Sequence, residues 1–293
     1  MRRAAVGVGA LDNPLPSFLK EAFLSLTFIY NDVIIYIIKA EEDIMPRFFI
    51  RADQVEYDEN GAGSLVITGE DAHHISHSLR MATGDEITVC DMQKNVYECK
   101  ISAFGEDTVR ADIISQSPSD TEPPCYIKLY QAVPKGDKLE TIIQKSVECG
   151  VSEIIPFMSE RCIAKIEGKD VSKKAQRHNK ISESAAKQCG RGIIPTVREA
   201  MKFKQAMDDA LKSDITIFCY EGDGTTSLKD ILRENKNVKT VSLVIGAEGG
   251  FSLKEVDYAL SLGAKAAGLG KRILRCETAP SFALACIAYE LEL

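Results

Sequence analysis

From Met45 to about Pro118 apolar residues recur at every second position in short runs: RFFIRAD, GSLVITG, DEITVCD, VYECKISAFG and TVRADIIS, divided by Gly, Asp and Asn turns. A period of two marks half-buried strands, so this part predicts a small, mostly antiparallel β-domain or barrel. One helical stretch, EDAHHISHSLRMATGD, interrupts it. Residues 115–125, SQSPSDTEPPC, are polar and proline-rich and read as a linker. Beyond it the period changes. IKLYQAVP is a strand, and DKLETIIQKSVECG sets Leu139, Ile142, Ile143 and Val147 on one helical face before Gly150. SEIIPFMS, DITIFCYEG and SLVIG are short apolar strands, with helices predicted over 172–189, 227–235, 252–262 and 278–291. Such alternation predicts an α/β domain with a parallel sheet and helices on both faces. The expected organisation is an N-terminal extension at 1–44, a β-domain at 45–118 and an α/β domain at 119–293.

The extension contains SFLKEAFLSLTFIYNDVIIYIIK, which is apolar but broken by Lys20, Glu21, Asn31 and Asp32. A spanning helix needs about 20 mostly apolar residues, and no small-residue cleavage site follows the stretch, as a signal peptide would require. The preferred reading is an extension outside the fold, with the domain proper opening at Met45; a peripheral membrane anchor is the alternative. Across the chain the net charge is −7 and tryptophan is absent, which excludes a global pull toward nucleic acid or anionic lipid. Any such partner must meet a local patch. Nine scattered cysteines form no Cys-x-x-Cys pair, which fits reduced thiols in a cytoplasmic protein.

Two glycine turns carry the candidate chemistry. LVIGAEGGFS, residues 243–252, ends a strand in Gly246, Gly249 and Gly250, where a ligand can approach bare backbone amides. Ser252 and Glu255 form a capping box, so a helix starts directly afterwards. No Gly-Lys-Ser/Thr follows and the spacing is not Gly-x-Gly-x-x-Gly, which removes the nucleotide triphosphate and dinucleotide readings. LGKRILRCETAP, residues 269–280, repeats the pattern and adds Lys271, Arg272, Arg275 and Glu277 before Thr278 and Pro280 open the last helix. Two such turns in adjacent units can wall one pocket.

GAEGGFS, LGKRILRCETAP, PKGDKLETIIQKSVECGVSEIIPF, SERC, AAKQCGRGIIP and the opening MPRFF occur in order over residues 45–293. Together they resemble the RsmE family of SPOUT methyltransferases. The resemblance implies transfer of a methyl group from S-adenosylmethionine to N3 of a uracil in 16S ribosomal RNA, on the small ribosomal subunit, by a homodimer. It implies a PUA-like N-terminal barrel and a C-terminal α/β domain tied in a deep trefoil knot, an exception to unthreaded connectivity. Carried onto this chain, the cofactor residues are Gly246, Glu248, Gly249, Gly250, Leu269, Gly270, Ile273, Leu274 and Thr278. Ala247 stands where the family usually has proline, and Cys276 where threonine is common.

A sulfonium already activates the methyl group, so the protein must align the reactants, and no metal is expected. The uracil imide must lose its proton, and a cation beside the developing anion stabilises it. Arg191 and Arg275 are the candidate cations, with Gln188 as an orienting group, and Glu248 or Glu277 as proton acceptor. Between Glu160 and Lys204 basic residues exceed acidic ones by seven, which marks a local RNA-facing patch. RNA-binding candidates are Arg47, Arg51, Arg80, Lys135, Arg161, Lys165, Gln188, Arg191 and Arg272. His73, His74 and His77 lie on one predicted helix without a supporting carboxylate or cysteine pattern, so packing or RNA contact is expected there rather than a metal, and no membrane partner is expected. The competing functions are a SPOUT methyltransferase acting on a ribose 2′-hydroxyl or a tRNA base, and a ribosome-assembly factor without turnover.

Overall fold

The computed structural model describes residues 27–30, 33–36, 45–164 and 170–293. Strands β1 (Thr27–Tyr30) and β2 (Val33–Tyr36) pair as an antiparallel hairpin. They belong to a unit, Met1–Met45, distinct from the unit Pro46–Leu293. The reading of 1–44 as an extension otherwise falls outside the described residues.

In the second unit the period-two runs become strands β3 (Arg47–Phe49), β4 (Val55–Tyr57), β5 (Gly63–Thr68), β6 (Glu86–Cys90), β7 (Asn95–Phe104) and β8 (Thr108–Pro118). They form one sheet in the order β3-β6-β7-β8-β5-β4, antiparallel except for the β3–β6 pair. Along β7, Tyr97, Cys99 and Ile101 are buried while Glu98 and Lys100 face solvent. The interrupting helix is short. Helix α1 (Glu70–His73) passes into a π turn at His74–Ser78, and Ala72 and Ile75 plug the sheet's core. One expectation needs correction: residues 115–118 are strand, not linker, because β8 keeps its ladder with β7 out to the Asn95–Pro118 pair. The ribbon there is polar on both sides, so it carries no apolar period to betray it.

The remaining chain runs β9 (Tyr126–Ala132), α2 (Lys138–Glu148), β10 (Glu153–Met158), α3 (Asp170–Gln188), β11 (Thr196–Val197), β12 (Met201–Lys202), α4 (Phe203–Ala210), β13 (Ile215–Cys219), β14 (Thr226–Ser227), α5 (Leu228–Glu234), β15 (Thr240–Ile245), α6 (Leu253–Ser261), β16 (Lys265–Gly268) and α7 (Ala279–Leu291). All strand pairs in this sheet are parallel, in the order β11-β10-β9-β15-β13-β16-β14, with β12 also on β10. Helices cover both faces. One core layer gathers Ile142, Ile143 and Val147 of α2 with Leu284 and Ile287 of α7. The opposite layer holds Met207 of α4 and Val256 of α6 against Tyr130, Phe218 and Val244. Neighbouring residues such as Ile217 and Phe218 point into opposite layers, as the pleat requires.

The two sheets are joined through a buried ion pair. Arg191, just past α3, donates from Nη2 to Glu122 Oε2 at 2.6 Å, with the two side chains 5% and 8% exposed. Its Nη1 donates to the carbonyls of Val147 and Val151 at 3.0 Å each. Glu122 Oε1 also accepts the amides of Gly192 and Ile193. Arg47 on β3 donates to the Arg191 carbonyl at 3.2 Å. Lys180 and Lys187 of α3 add ion pairs to Glu70 and Asp71 of α1. Removing one partner of such a buried pair leaves the other charge uncompensated, so Glu122→Ala is expected to cost about 3–5 kcal/mol. Urea unfolding of Glu122→Ala, Arg191→Ala and the double variant checks this, with the double variant losing less than the sum of the two.

Candidate active site

Parallel strands deliver all their carboxyl ends to one edge of the sheet, where ligands of open α/β folds bind. Here the segments after β13, β15 and β16 surround a cavity of about 820 Å³. Ile245, at the buried end of β15, opens directly into the first glycine turn. The Gly250 amide donates to the Ala247 carbonyl at 2.9 Å, and Gly250 takes φ of +60°, a conformation that disfavours any Cβ. A Cβ on Gly246 would stand 3.2 Å from Gly250 Cα and from the Phe251 ring, and one on Gly249 would stand 3.1 Å from Arg161 Cβ. The three glycines therefore answer three separate constraints. Phe251 anchors the turn against Phe218, ring centroids 4.3 Å apart. The capping box is present as expected, and Glu255 also accepts the Glu160 amide at 2.8 Å. Gln131, fully buried at the end of β9, donates to the Gly246 carbonyl at 3.3 Å, and Arg161 donates to that of Gly249 at 3.0 Å.

The second turn follows β16. Gly270 has φ of +102°, and Arg275 O accepts the amides of Thr278 and Ala279 as α7 begins. Lys271, Arg272 and Arg275 are exposed along this loop, and Ile273 is 82% exposed among them. Lys138, on the first turn of α2, reaches both turns: its Nζ lies 2.8 Å from Glu248 and 3.5 Å from Glu277. The Lys135 amide also donates to Glu248. Burial works to raise the Glu248 carboxyl, but the Lys138 ammonium and the backbone amides of Glu248 and Lys135 outweigh it and hold the group below the usual carboxylate range. The Cys276 thiol, the Glu277 amide and Lys138 do the same for Glu277. Cys276 itself is pushed up to about 12 by burial and by its bond to Glu277, so it stays a thiol.

The structure brings Gly246, Glu248, Gly249, Gly250, Leu269, Gly270, Ile273, Leu274, Arg275 and Glu277 to this one cavity, with Arg161 and Arg272 among its walls. Thr278 stands next to it at the cap of α7. Arg191 lies apart from the cavity. It is 4% exposed, and all its guanidinium nitrogens are engaged at the sheet junction. Gln188 is exposed at the end of α3, outside the cavity lining. Arg47 is half-buried and spent on Arg191 and Cys90, so the anticipated exposed group of Arg47, Arg51 and Arg80 loses one member. Arg51 pairs with Asp53 at 3.0 Å, Arg80 is exposed with φ of +54°, and Lys135 is exposed. Lys165 lies outside the described residues. Lys138, Gln131 and the Cys219–Thr225 segment were missed; only the position of PKGDK at a strand's carboxyl end could have pointed to Lys138. His73 and His77 stack at 4.2 Å, and among the described residues no three metal-ligating side chains gather.

An RNA methyltransferase domain family matches residues 121–288, and an RNA methyltransferase PUA domain family matches residues 67–114. A Bacillus subtilis (strain 168) protein named ribosomal RNA small subunit methyltransferase E is 34% identical over 253 residues, covering 85% of this chain and 98% of its own. The chain belongs to the RsmE family. An Aquifex aeolicus (strain VF5) protein of the same name is 30% identical over 226 residues, covering 77% of this chain and 94% of its own. The crystal structure of the RsmE protein of Neisseria gonorrhoeae, bound to S-adenosyl methionine, is similar with a TM-score of 0.72 at 28% identity, covering 84% of this chain and 98% of that one.

Two outcomes are expected for the glycine turns of this RsmE-family chain. Gly250→Ala places a Cβ in the left-handed region at a cost of about 1–2 kcal/mol, which calorimetry reads as a melting temperature lower by about 2–4 °C per kcal/mol. Glu248 and Glu277 are depressed in the folded state, so their contribution is complete above the ordinary carboxyl value of 4.5 and is lost as pH falls through their folded values. Melting temperatures taken from about pH 6 to pH 3 should therefore drop less steeply in Glu248→Gln/Glu277→Gln than in the parent protein.

Proposed function

We propose that this chain methylates N3 of a uracil in 16S ribosomal RNA of the small subunit, using S-adenosylmethionine. The observation that carries the reading is the pairing of two glycine turns across one cavity in an RsmE-family chain. The cavity fits such a cofactor. Its volume of about 820 Å³ admits a nucleoside bearing an amino-acid arm, and the glycines of both turns line it. Ile245, Ala267, Leu269 and Leu274 offer an apolar wall for an adenine ring. Gly246, Gly249, Gly250, Leu269, Gly270, Ile273, Leu274 and Thr278 would hold it, with Glu248 on the turn between them.

When bound, the cofactor supplies a methyl group activated on a sulfonium. The chain's own residues orient and charge-balance the other reactant. Arg275 is 84% exposed and only 4.0 Å from Glu277 at its nearest approach, which leaves its guanidinium available to the uracil oxygens as the imide proton leaves. Glu248 or Glu277, each held below the usual carboxylate range, accepts the N3 proton, directly or through water. Arg161, Lys271 and Arg272 rim the cavity and meet phosphates, and exposed Arg80, Arg51, Lys135 and Gln188 extend the RNA-facing surface. In this reading residues 45–118 form the RNA-binding PUA-like domain and residues 119–293 the SPOUT domain, tied in a C-terminal trefoil knot. The protein works as a cytoplasmic homodimer. Helix α7 supports that assembly, because beyond its buried face it leaves Phe282 and Tyr289 exposed, one helical stripe apart from the core side.

The test is incubation of the purified protein with methyl-labelled S-adenosylmethionine and small subunits lacking the modification, followed by digestion and mass spectrometry of the nucleosides. Label is expected in 3-methyluridine. Label in a ribose 2′-O-methyl or another base would overturn the target. No label despite cofactor binding would point to an assembly factor without turnover. For RNA affinity, Arg272→Ala is expected to weaken subunit binding and to reduce the slope of log affinity against log salt by about 1, measured by filter binding.

A further inference from the structure

The cavity has two main walls that come from separate segments, and their polar connection is narrow. Among the described residues no hydrogen bond or ion pair runs directly between the 246–250 turn and the 269–278 loop; Lys138 alone bonds to a side chain of each. It does so from a third segment, the start of α2 after β9, with Asp137 at the N-cap position. Glu248 and Glu277 both point carboxylates at this one ammonium. Without it, two like charges would face each other across the cavity and the walls would move apart. Lys138 also decides what Glu277 does. Held by Lys138 and by the Cys276 thiol, Glu277 stays 4.0 Å from Arg275 instead of closing a tight pair with it.

We propose that Lys138 is a positioning residue that sets the separation of the two cofactor-binding walls and keeps Arg275 free for the RNA base. The inference rests on the reading of this cavity as the S-adenosylmethionine site. Its electrostatic form makes it specific: a hydrophobic stem of equal length cannot replace the ammonium, a guanidinium can, and removing one of the two carboxylates makes the cation less necessary.

The experiment compares the parent protein with Lys138→Met, Lys138→Arg and Lys138→Met/Glu277→Gln. S-adenosylmethionine affinity is read by calorimetry, and amide hydrogen exchange is read over residues 246–250 and 269–278 without cofactor. Lys138→Met should weaken cofactor binding about fivefold, the scale of a partly exposed charge contact, and should speed exchange in both segments. Its KM for cofactor should rise, and its turnover on subunits should fall as Glu277 closes on Arg275. Lys138→Arg should keep the parent's values, and Lys138→Met/Glu277→Gln should regain most of the protection and affinity. Parent-like exchange in Lys138→Met, or no recovery in the double variant, overturns the tie. A parent protein that binds no S-adenosylmethionine overturns the cofactor reading instead, and the exchange data then still decide whether Lys138 holds the two walls together.

Discussion

Because every strand of the large sheet is parallel, each must end on the same edge, and the strand order decides which ends become neighbours. β15 and β16 are separated in sequence by α6, yet each pairs with β13. Their carboxyl ends therefore lie two strand spacings apart, about 10 Å, with the Cys219–Thr225 segment between them. That span suits a small organic ligand, and the glycine turns are the means of leaving it open. A side chain on Gly246 would fill the turn's own interior and one on Gly249 would press on Arg161, while the positive φ of Gly250 and Gly270 reverses the chain without a bulky corner. The sheet thus sets the width of the site, the turns keep it clear, and Lys138 joins them.

Charge is distributed with comparable economy. The stretch from Glu160 to Lys204 is rich in cations, but in the fold Arg177 pairs with Glu140, Lys180 with Glu70, Lys187 with Asp71, Arg191 with Glu122 and Arg198 with Asp209. Most of these carboxylates lie far away in sequence. Five of the twelve cations of this stretch thus dock α3 and its surroundings onto the rest of the protein, while the exposed cations of the 271–275 loop remain at the mouth of the cavity. A buried pair such as Arg191–Glu122 is weak evidence for net stability, because desolvation offsets much of its attraction. Its clear effect is geometric: it ties the segment between the sheets to the ends of α2 and α3, and Arg47 adds β3 through the Arg191 carbonyl.

These arrangements explain what the sequence could and could not reveal. Periodicity was sufficient for α2, where all four residues of the expected face are buried, and for β9, β10, β13 and β15, whose apolar runs fill both core layers. The capping box of Ser252 and Glu255 is a local contact and was legible as such. Two-residue strands β11, β12 and β14 are too short for a period to stand out, and the polar ribbon of β8 has none. The burial of Arg191 escaped for a different reason. Its partner sits 69 positions away in a proline-rich segment read as a linker, and nothing local distinguishes a buried arginine from a catalytic one. Lys138 escaped for the same reason, since its meaning depends on carboxylates 110 and 139 residues further on.

The carboxylates of the site sharpen the chemistry that this fold can support. A strong general base needs a raised pKa, but the surroundings of Glu248 and Glu277 lower theirs. Neither group is tuned to pull a proton away forcefully. Their value lies in being reliably charged: they fix Lys138, and through it the relation between two loops that a ligand must bridge. Under the proposed function, catalysis at such a site rests on alignment and on the exposed cations of the 271–275 loop, which stabilise an anion once the proton has left. A family whose electrophile arrives already activated can rely on this arrangement, because precision in placing two reactants then matters more than basicity.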